Sequence, residues 1–287
     1  MKILITGISG LVGSALREYF TSEGHEVRGL SLKDSSKLET LKELPPLDVI
    51  INLSGETIGQ RWSEDAKKRI YESRIISTRL LVQKVLELKN RPKVFLNASS
   101  SGGYAKSQTP ATEDSKLISN GEFLKRIIID WEAETLLLDQ AGIRRVNLRF
   151  GHILSDHGGL IGKVLPFFKL GLGGYQGSGK QLVSWVDIDD AVRAIDFCIH
   201  NESIQGPVNI VAPEVVTNTH FYEALGKTIH RPVWLSPPVW LLKFILGREF
   251  AQEIMLNDYN AFPKKLLDAG FEFKYNTLEQ SFKHLLK

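Results

Sequence analysis

Cys198 is the only cysteine in the 287 residues, which excludes an intramolecular disulfide and any multi-cysteine metal site. It falls in the apolar-periodic stretch Ala191–Ile199, the setting of a buried, inert thiol. Charge of one sign is also scarce. Thirty-six Lys and Arg against 33 Asp and Glu leave +3, too small an excess to point to a nucleic acid or an acidic membrane as partner. Runs such as Lys67-Lys68-Arg69 read as solvated helix faces. No apolar run reaches membrane-spanning length, and Met1–Gly7 passes straight into a strand without the apolar core and cleavage site of a signal peptide. A soluble cytoplasmic protein is expected. Metal-ligand spacing, such as two histidines four apart, is missing as well. Asp187, Asp189 and Asp190 precede a helix, where carboxylates favour the N-terminus, so no metal is expected.

What is present is an ordinary globular composition, 43% hydrophobic and 24% charged. Strand-length apolar runs at Lys2–Thr6, Glu26–Leu30, Val49–Leu53, Lys93–Ala98, Arg145–Phe150 and Val208–Val211 alternate with amphipathic segments. The latter are Val12–Ser22, Ser63–Leu88, Phe123–Gln140 and Ile188–Ile199, apolar at spacings of three and four. Strands that are apolar throughout, separated by helices, predict an α/β fold with a doubly wound parallel sheet covered on both faces. The glycine-rich segment 155–184 and the Pro-, Trp- and Phe-rich chain beyond Pro213 break this rhythm. They predict a smaller second lobe (155–184 plus 213–287) over the sheet's carboxyl edge, the first lobe being 1–154 plus 185–212. Trp185, Trp234 and Trp240 of this region suit either a stacking pocket or core packing.

The strongest local signal is Thr6-Gly7-Ile8-Ser9-Gly10-Leu11-Val12-Gly13, a G-x-x-G-x-x-G turn between the first strand and the first helix. Gly7 permits the tight turn, Gly10 lets the backbone approach a pyrophosphate, and Gly13 allows close helix–strand packing. The helix N-terminus adds unpaired N–H groups and a partial positive charge. A dinucleotide site with Gly7, Ser9, Gly10, Leu11, Val12 and Gly13 follows. At the end of the second strand, Leu30-Ser31-Leu32-Lys33-Asp34 places a hydroxyl and a lysine before the first acid. This favours the 2′-phosphate of NADP(H) over the bare ribose of NAD(H), Asp34 reaching the ribose being the alternative. Gly174–Gln181 nearly spells a phosphate-binding P-loop, but Gln181 replaces the magnesium-binding Ser or Thr and Leu182–Val186 looks extended. A lobe loop is predicted there.

These residues resemble the short-chain dehydrogenase/reductase superfamily, in its extended, NAD(P)-dependent epimerase/dehydratase-like branch. Asn52–Glu56, Arg61-Trp62-Ser63, Glu72-Ser73-Arg74, Trp131-Glu132, Gly171–Gly174, Gly177–Gln181 and Ser184–Asp187 are similar to a subgroup of nucleotide-sugar-epimerase-like proteins of undetermined substrate. Gly206–Asn209, Pro263–Leu267 and Ala269-Gly270-Phe271 resemble that subgroup's small C-terminal domain. The resemblance implies an NAD(P)-binding Rossmann fold. Ser31 and Lys33 would lie near the adenosine ribose, Leu53, Ser54, Gly55 and Ser99 at strand ends facing the cofactor, and Arg74 on a helix contacting it.

The superfamily's chemistry uses a Tyr with a Lys four residues on, whose ammonium lowers the phenol's pKa. None of the seven tyrosines has a lysine at that spacing. In the helix where the pair belongs the sequence is FLKRIIIDWE, with an apolar ring in place of the phenol. The remaining catalytic candidates are Ser100, matching the branch's substrate-orienting serine, Tyr104 as a displaced phenol, and Glu56 as an acid or base. His152 is a further candidate substrate contact. The expected function is an NADP(H)-binding epimerase- or oxidoreductase-like protein acting on a small polar substrate, such as a nucleotide sugar. The alternative is a cofactor-binding sensor without turnover.

Overall fold

A computed structural model describes residues 1–286 apart from the Ser35 side chain. Its elements in chain order are β1 Lys2–Thr6, α1 Leu11–Ser22, β2 Glu26–Leu30, a 3-10 turn Ser35–Glu43, β3 Val49–Asn52, α2 Glu64–Glu72 and α3 Ile75–Leu86. Then come β4 Val94–Ser100, α4 Phe123–Ala133, α5 Leu137–Gln140, β5 Arg144–Phe150, β6 His152–Ser155, α6 Gly159–Lys169, β7 Leu182–Asp187 and α7 Ile188–His200. The chain ends with β8 Gly206–Ile210, β9 Val215–Thr217, α8 Asn218–Thr228, α9 Val239–Leu246, α10 Arg248–Phe250, a π turn Ala251–Met255, α11 Lys264–Asp268 and α12 Leu278–Leu285.

Six strands form one sheet in the order β2-β1-β3-β4-β5-β8, and every pair in it is parallel. Side chains of β1, β3 and β4 alternate between two buried faces, as their apolar runs require. Ile3, Ile5, Val49, Ile51, Val94 and Leu96 pack with α1 and α7, whereas Leu4, Ile50 and Phe95 pack with Leu81, Val82 and Val85 of α3. The doubly wound sheet is as expected. Because β2 and β3 lie on opposite sides of β1, the winding reverses there and opens a crevice at the carboxyl ends of β1 and β3.

The segment expected as one helix, Ser63–Leu88, is two. It breaks at Ser73-Arg74, where Ser73 Oγ accepts from the Glu56 amide and Arg74 folds back onto the Glu56 carbonyl. Likewise Phe123–Gln140 divides at Ala133.

A three-stranded sheet, β6-β7-β9, carries the second lobe, with α6, α8 and α12 around a core of Phe168, Trp185, Phe221, Tyr222 and Phe282. The expected lobe limits at residues 154 and 185 run through this sheet, since His152 pairs with Trp185 and Leu154 with Asp187. The C-terminal residues Leu266, Phe271 and Phe273 belong to the first lobe's core. The buried Asp190 carboxylate on α7 holds them there by accepting from the Lys274 and Tyr275 amides. Asp187 and Asp189 do open a helix: Asp187 caps α7 by accepting from the Asp189 amide at 3.0 Å. His284 of α12 turns one ring nitrogen to each of these two carboxylates, at 3.3 and 3.4 Å. Among the described residues no helix is long and apolar enough to cross a membrane.

Candidate dinucleotide cleft

The turn after β1 is shaped by glycines that other residues would obstruct. Gly7 has φ +69°, and a Cβ on it would stand 2.7 Å from the Leu53 carbonyl oxygen. A Cβ on Gly13 would lie 2.3 Å from the Gly7 carbonyl oxygen, so helix α1 can close on the turn only without one. Gly10 differs: it is exposed and stands at the N-cap of α1 with no side-chain capping bond and no acid in the first turn. The first amides of α1 are therefore left with an uncompensated positive field.

That helix end opens on a cleft of about 260 Å³ at the crevice between β1, β3 and β4. Gly7, Gly10, Leu11, Val12, Gly13, Leu53, Arg74, Ser99 and Ser100 of the predicted residues line it. Ile58, Ala98, Leu124, Ile127, Ile128, Trp131 and Phe150 complete the wall. Ser9, Ser54 and Gly55 flank the same turns without lining the cleft. Ser31 and Lys33 are exposed at the end of β2, and Asp34 is engaged locally, accepting from the Ser36 amide and hydroxyl at 3.0 and 2.6 Å. Those bonds hold the Asp34 carboxyl below its usual range.

Arg74 is the cleft's cation. Its guanidinium is buried, lies 5.2 Å over the Trp131 ring, and donates only to the backbone carbonyls of Glu56 and Ile70. No carboxylate lies within 4.0 Å of it among the described residues. Burial lowers its pKa to about 10, partly offset by the charge of Glu56, so it remains a cation at neutral pH. Gly55 makes room for it, since a Cβ there would be 2.9 Å from the guanidinium carbon. A buried cation without an acid partner, beside open helix amides and a glycine backbone, fits a diphosphate.

Beneath the cleft runs a polar row that sequence reading missed. Thr6 donates to Asn52 at 2.6 Å, Asn52 donates to Asn97 at 2.7 Å and to Thr78 at 2.8 Å, and Trp131 donates to Thr78 at 2.9 Å. Thr6, Asn52, Asn97 and Asn147 are register partners on adjacent strands. Their signal was one polar residue interrupting each apolar run at the same level.

The structure separates the catalytic candidates. Ser100 lines the cleft, and its oxygen accepts from the Gly102 amide at 3.1 Å, leaving its proton free to donate. Tyr104 does not line it. The phenol is buried between Asn209, to which it donates at 2.8 Å, and Arg149, from which it accepts at 2.8 Å, and burial raises its pKa. Glu56 is outside the cleft wall, paired with Gln60. His152 stands edge-on to Tyr259 at 4.7 Å, and its Nδ1 donates to the Ser184 carbonyl at 3.3 Å. Ser99 donates to Glu132 at 2.6 Å, and Glu132 takes a two-pronged pair from Arg149 at 2.8 Å.

On the helix expected to carry a tyrosine and lysine, two cleft-facing pairs stand one turn apart, Leu124 with Ile128 and Ile127 with Trp131, and none of the four is ionisable. Of the apolar rings on this helix, Trp131 lines the cleft and Phe123 packs against Trp62 at 5.2 Å. The amides of Phe123 and Leu124 donate to the Glu253 carboxylate from the second lobe, at 3.1 and 2.8 Å.

A doubly wound sheet with a glycine-lined cleft at its switch point defines a dinucleotide-binding protein of the Rossmann type. Comparison with known proteins makes this specific. Residues 3–211 match the NAD dependent epimerase/dehydratase family, and residues 237–285 match a domain of unknown function, DUF1731. The chain belongs to the NAD dependent epimerase/dehydratase family. It is 34% identical over 300 residues to the epimerase family protein YfhF of Bacillus subtilis, covering 100% of this chain and 98% of that one. It is also 34% identical over 294 residues to the epimerase family protein ML0860 of Mycobacterium leprae, covering 98% and 94%. The crystal structure of human epimerase family protein SDR39U1 with NADPH superimposes with a TM-score of 0.92, at 28% identity and 99% coverage of both chains. The UDP-glucose 4-epimerase of Thermus thermophilus in complex with NAD shares the fold at a TM-score of 0.80 and 18% identity, covering 98% and 96%.

Proposed function

We propose that the chain is a cytoplasmic NADP(H)-binding, epimerase- or oxidoreductase-like enzyme acting on a small polar substrate, such as a nucleotide sugar. The observation that carries the reading is Arg74, a buried guanidinium with no carboxylate partner, facing the open N-terminus of α1 across a glycine-lined cleft. Bound there, the nicotinamide would supply hydride transfer. Gly7, Gly10 and Gly13 would bring backbone to the pyrophosphate, and Arg74 would neutralise it. Lys33 and Ser31 support NADP(H) over NAD(H): both are exposed at the end of β2, whereas Asp34 is occupied by Ser36. The NADPH in the human relative's structure points the same way. Ser100 would donate its proton to a substrate oxygen and hold it in place.

A second reading, a nucleotide-binding sensor without turnover, is favoured by one observation. Leu124 and Ile128 put no ionisable group where the superfamily's proton donor would stand. Thermal denaturation with NADPH and NADH tests what both readings share. Ligand at a hundred times its Kd adds about 2.7 kcal/mol, a rise of several degrees. Stabilisation by NADPH at lower concentration than NADH is expected, and no shift with either overturns both. Turnover of carbonyl or nucleotide-sugar substrates that Ser100→Ala abolishes would defeat the sensor reading, and silence over a broad panel would defeat the enzyme.

A further inference from the structure

The second lobe leaves a large apolar surface uncovered. Trp240 and Phe244, four residues apart on α9, are 69% and 77% exposed, Ile245 beside them is 58% exposed, and Leu242 faces inward. Apart from Lys243 every residue of α9 is apolar, which is not the pattern of a helix facing water alone. A second exposed apolar group lies at the end of α6, joined to α9 through residues 235–238. Trp234 donates from its ring to the Gly171 carbonyl at 2.9 Å, and its amide donates to the Gly173 carbonyl at 3.0 Å. This joins Trp234, 66% exposed, to Leu170, 74% exposed.

The two chain segments that carry this surface hold charge of one sign, and Glu249, which follows them, is paired with Lys67. Residues 159–180 and 227–248, which carry it, contain seven Lys and Arg and not one Asp or Glu. The remainder of the chain holds 29 Lys and Arg against 33 Asp and Glu, so the overall +3 conceals a segregation of +7 from −4. None of the seven cations has a carboxylate within 4.0 Å among the described residues. The charge therefore disfavours pairing of this surface to itself. A two-fold interface sets the same patch on both sides, and these cations would face one another. Nor does it suit a docking helix, because its side chains project into solvent and do not line a groove.

We infer that this face lies on an anionic lipid bilayer, with Trp234, Trp240, Phe244 and Ile245 entering the headgroup boundary and Lys169, Arg231, Lys243 and Arg248 meeting lipid phosphates. Protruding aromatic and aliphatic side chains within a cationic rim are what interfacial binding uses. The near-neutral total, which alone gives no reason to expect an acidic membrane as partner, averages this local excess away, and the lack of a spanning run bears on transmembrane insertion only.

The test is sedimentation of the full chain with vesicles of phosphatidylcholine, with and without phosphatidylglycerol, at low and high salt. Binding only to the anionic vesicles, weakened by salt and accompanied by a blue shift of tryptophan emission, is expected. Trp240→Glu with Phe244→Glu should abolish it, and Lys169→Ala and Lys243→Ala should each weaken it about fivefold. Trp240, Phe244 and Lys169 are exposed and Lys243 is half-buried, so these changes should shift the melting temperature little. Equal partition onto neutral vesicles, no partition at all, or partition that survives the double variant would overturn the inference. So would a dimer that Phe244→Glu dissociates, or a single-stranded oligonucleotide bound in preference to the vesicles.

Discussion

Leu124 and Ile128 stand one helical turn apart on α4 and both face the cleft that Ser100 lines. An aliphatic pair occupies the spacing at which related chemistry uses a phenol and an ammonium, and Tyr104, the nearest phenol by sequence, is locked between Asn209 and Arg149. Tyr104→Phe should therefore act on stability. Loss of its bonds leaves the buried Asn209 and Arg149 groups short of a partner, about 1–3 kcal/mol in urea unfolding, with NADPH affinity unchanged. Lost cofactor binding at unchanged stability would contradict this placement.

The glycines of the turn should divide by role. Gly13→Ala forces a Cβ against the Gly7 carbonyl and should destabilise the protein by about 1–3 kcal/mol with or without cofactor. Gly10→Ala, exposed and with an ordinary φ of −77°, should change stability by less than about 1 kcal/mol yet weaken NADPH at least tenfold, about 1.4 kcal/mol. Isothermal titration beside thermal melts separates the two effects.

Glu132 and Arg149 form a nearly buried ion pair, with side chains 13% and 6% exposed. Burial opposes the Arg149 charge, but Glu132 and Tyr104 more than restore it and raise its pKa. Removing one partner alone, Glu132→Gln or Arg149→Met, should cost about 3–5 kcal/mol, and the double variant less than the two losses combined. Denaturant midpoints of the three variants check it.

His152 should make stability fall on the acid side. Burial holds its pKa below the ordinary 6.5, against the weaker pull of the Ser184 carbonyl. Below pH 6.5 the unfolded chain takes up a proton that the folded chain refuses, so stability drops as pH falls through that window. His152→Gln should flatten this part of the curve, read from urea unfolding between pH 7.5 and 5.

Cys198 should be silent to thiol reagents. It is fully buried on the inner face of α7, and burial pushes its pKa up to about 12, far from the thiolate that reacts. A disulfide reagent should release no chromophore from the native protein and one equivalent after denaturation.

The sheet was legible because its central strands β1, β3 and β4 carry apolar residues on both faces, and the glycine turn because a Cβ at Gly7 or Gly13 would strike backbone. Where the sequence misled, tertiary contacts decided. The break at Ser73-Arg74 has no Gly or Pro to announce it and exists because Arg74 reaches back to the Glu56 carbonyl. Trp185, Trp234 and Trp240 look alike in composition, yet the first is wholly buried and the other two are mostly exposed. The Thr6–Asn52–Asn97 row was visible as interruptions, but its meaning needed the strand register. The one-sided charge was also present in the sequence and vanished only in the total.

Glu253 gives the C-terminal domain a structural duty inside its neighbour. Its carboxylate receives the leading amides of α4, so that helix is finished by a residue more than a hundred positions downstream. A fragment ending after β8 would inherit the strands and the glycine turn but start α4 with two bare amides beside the cleft. The two matched regions thus depend on each other, and dissecting them between residues 211 and 237 would fray the helix that walls the cleft.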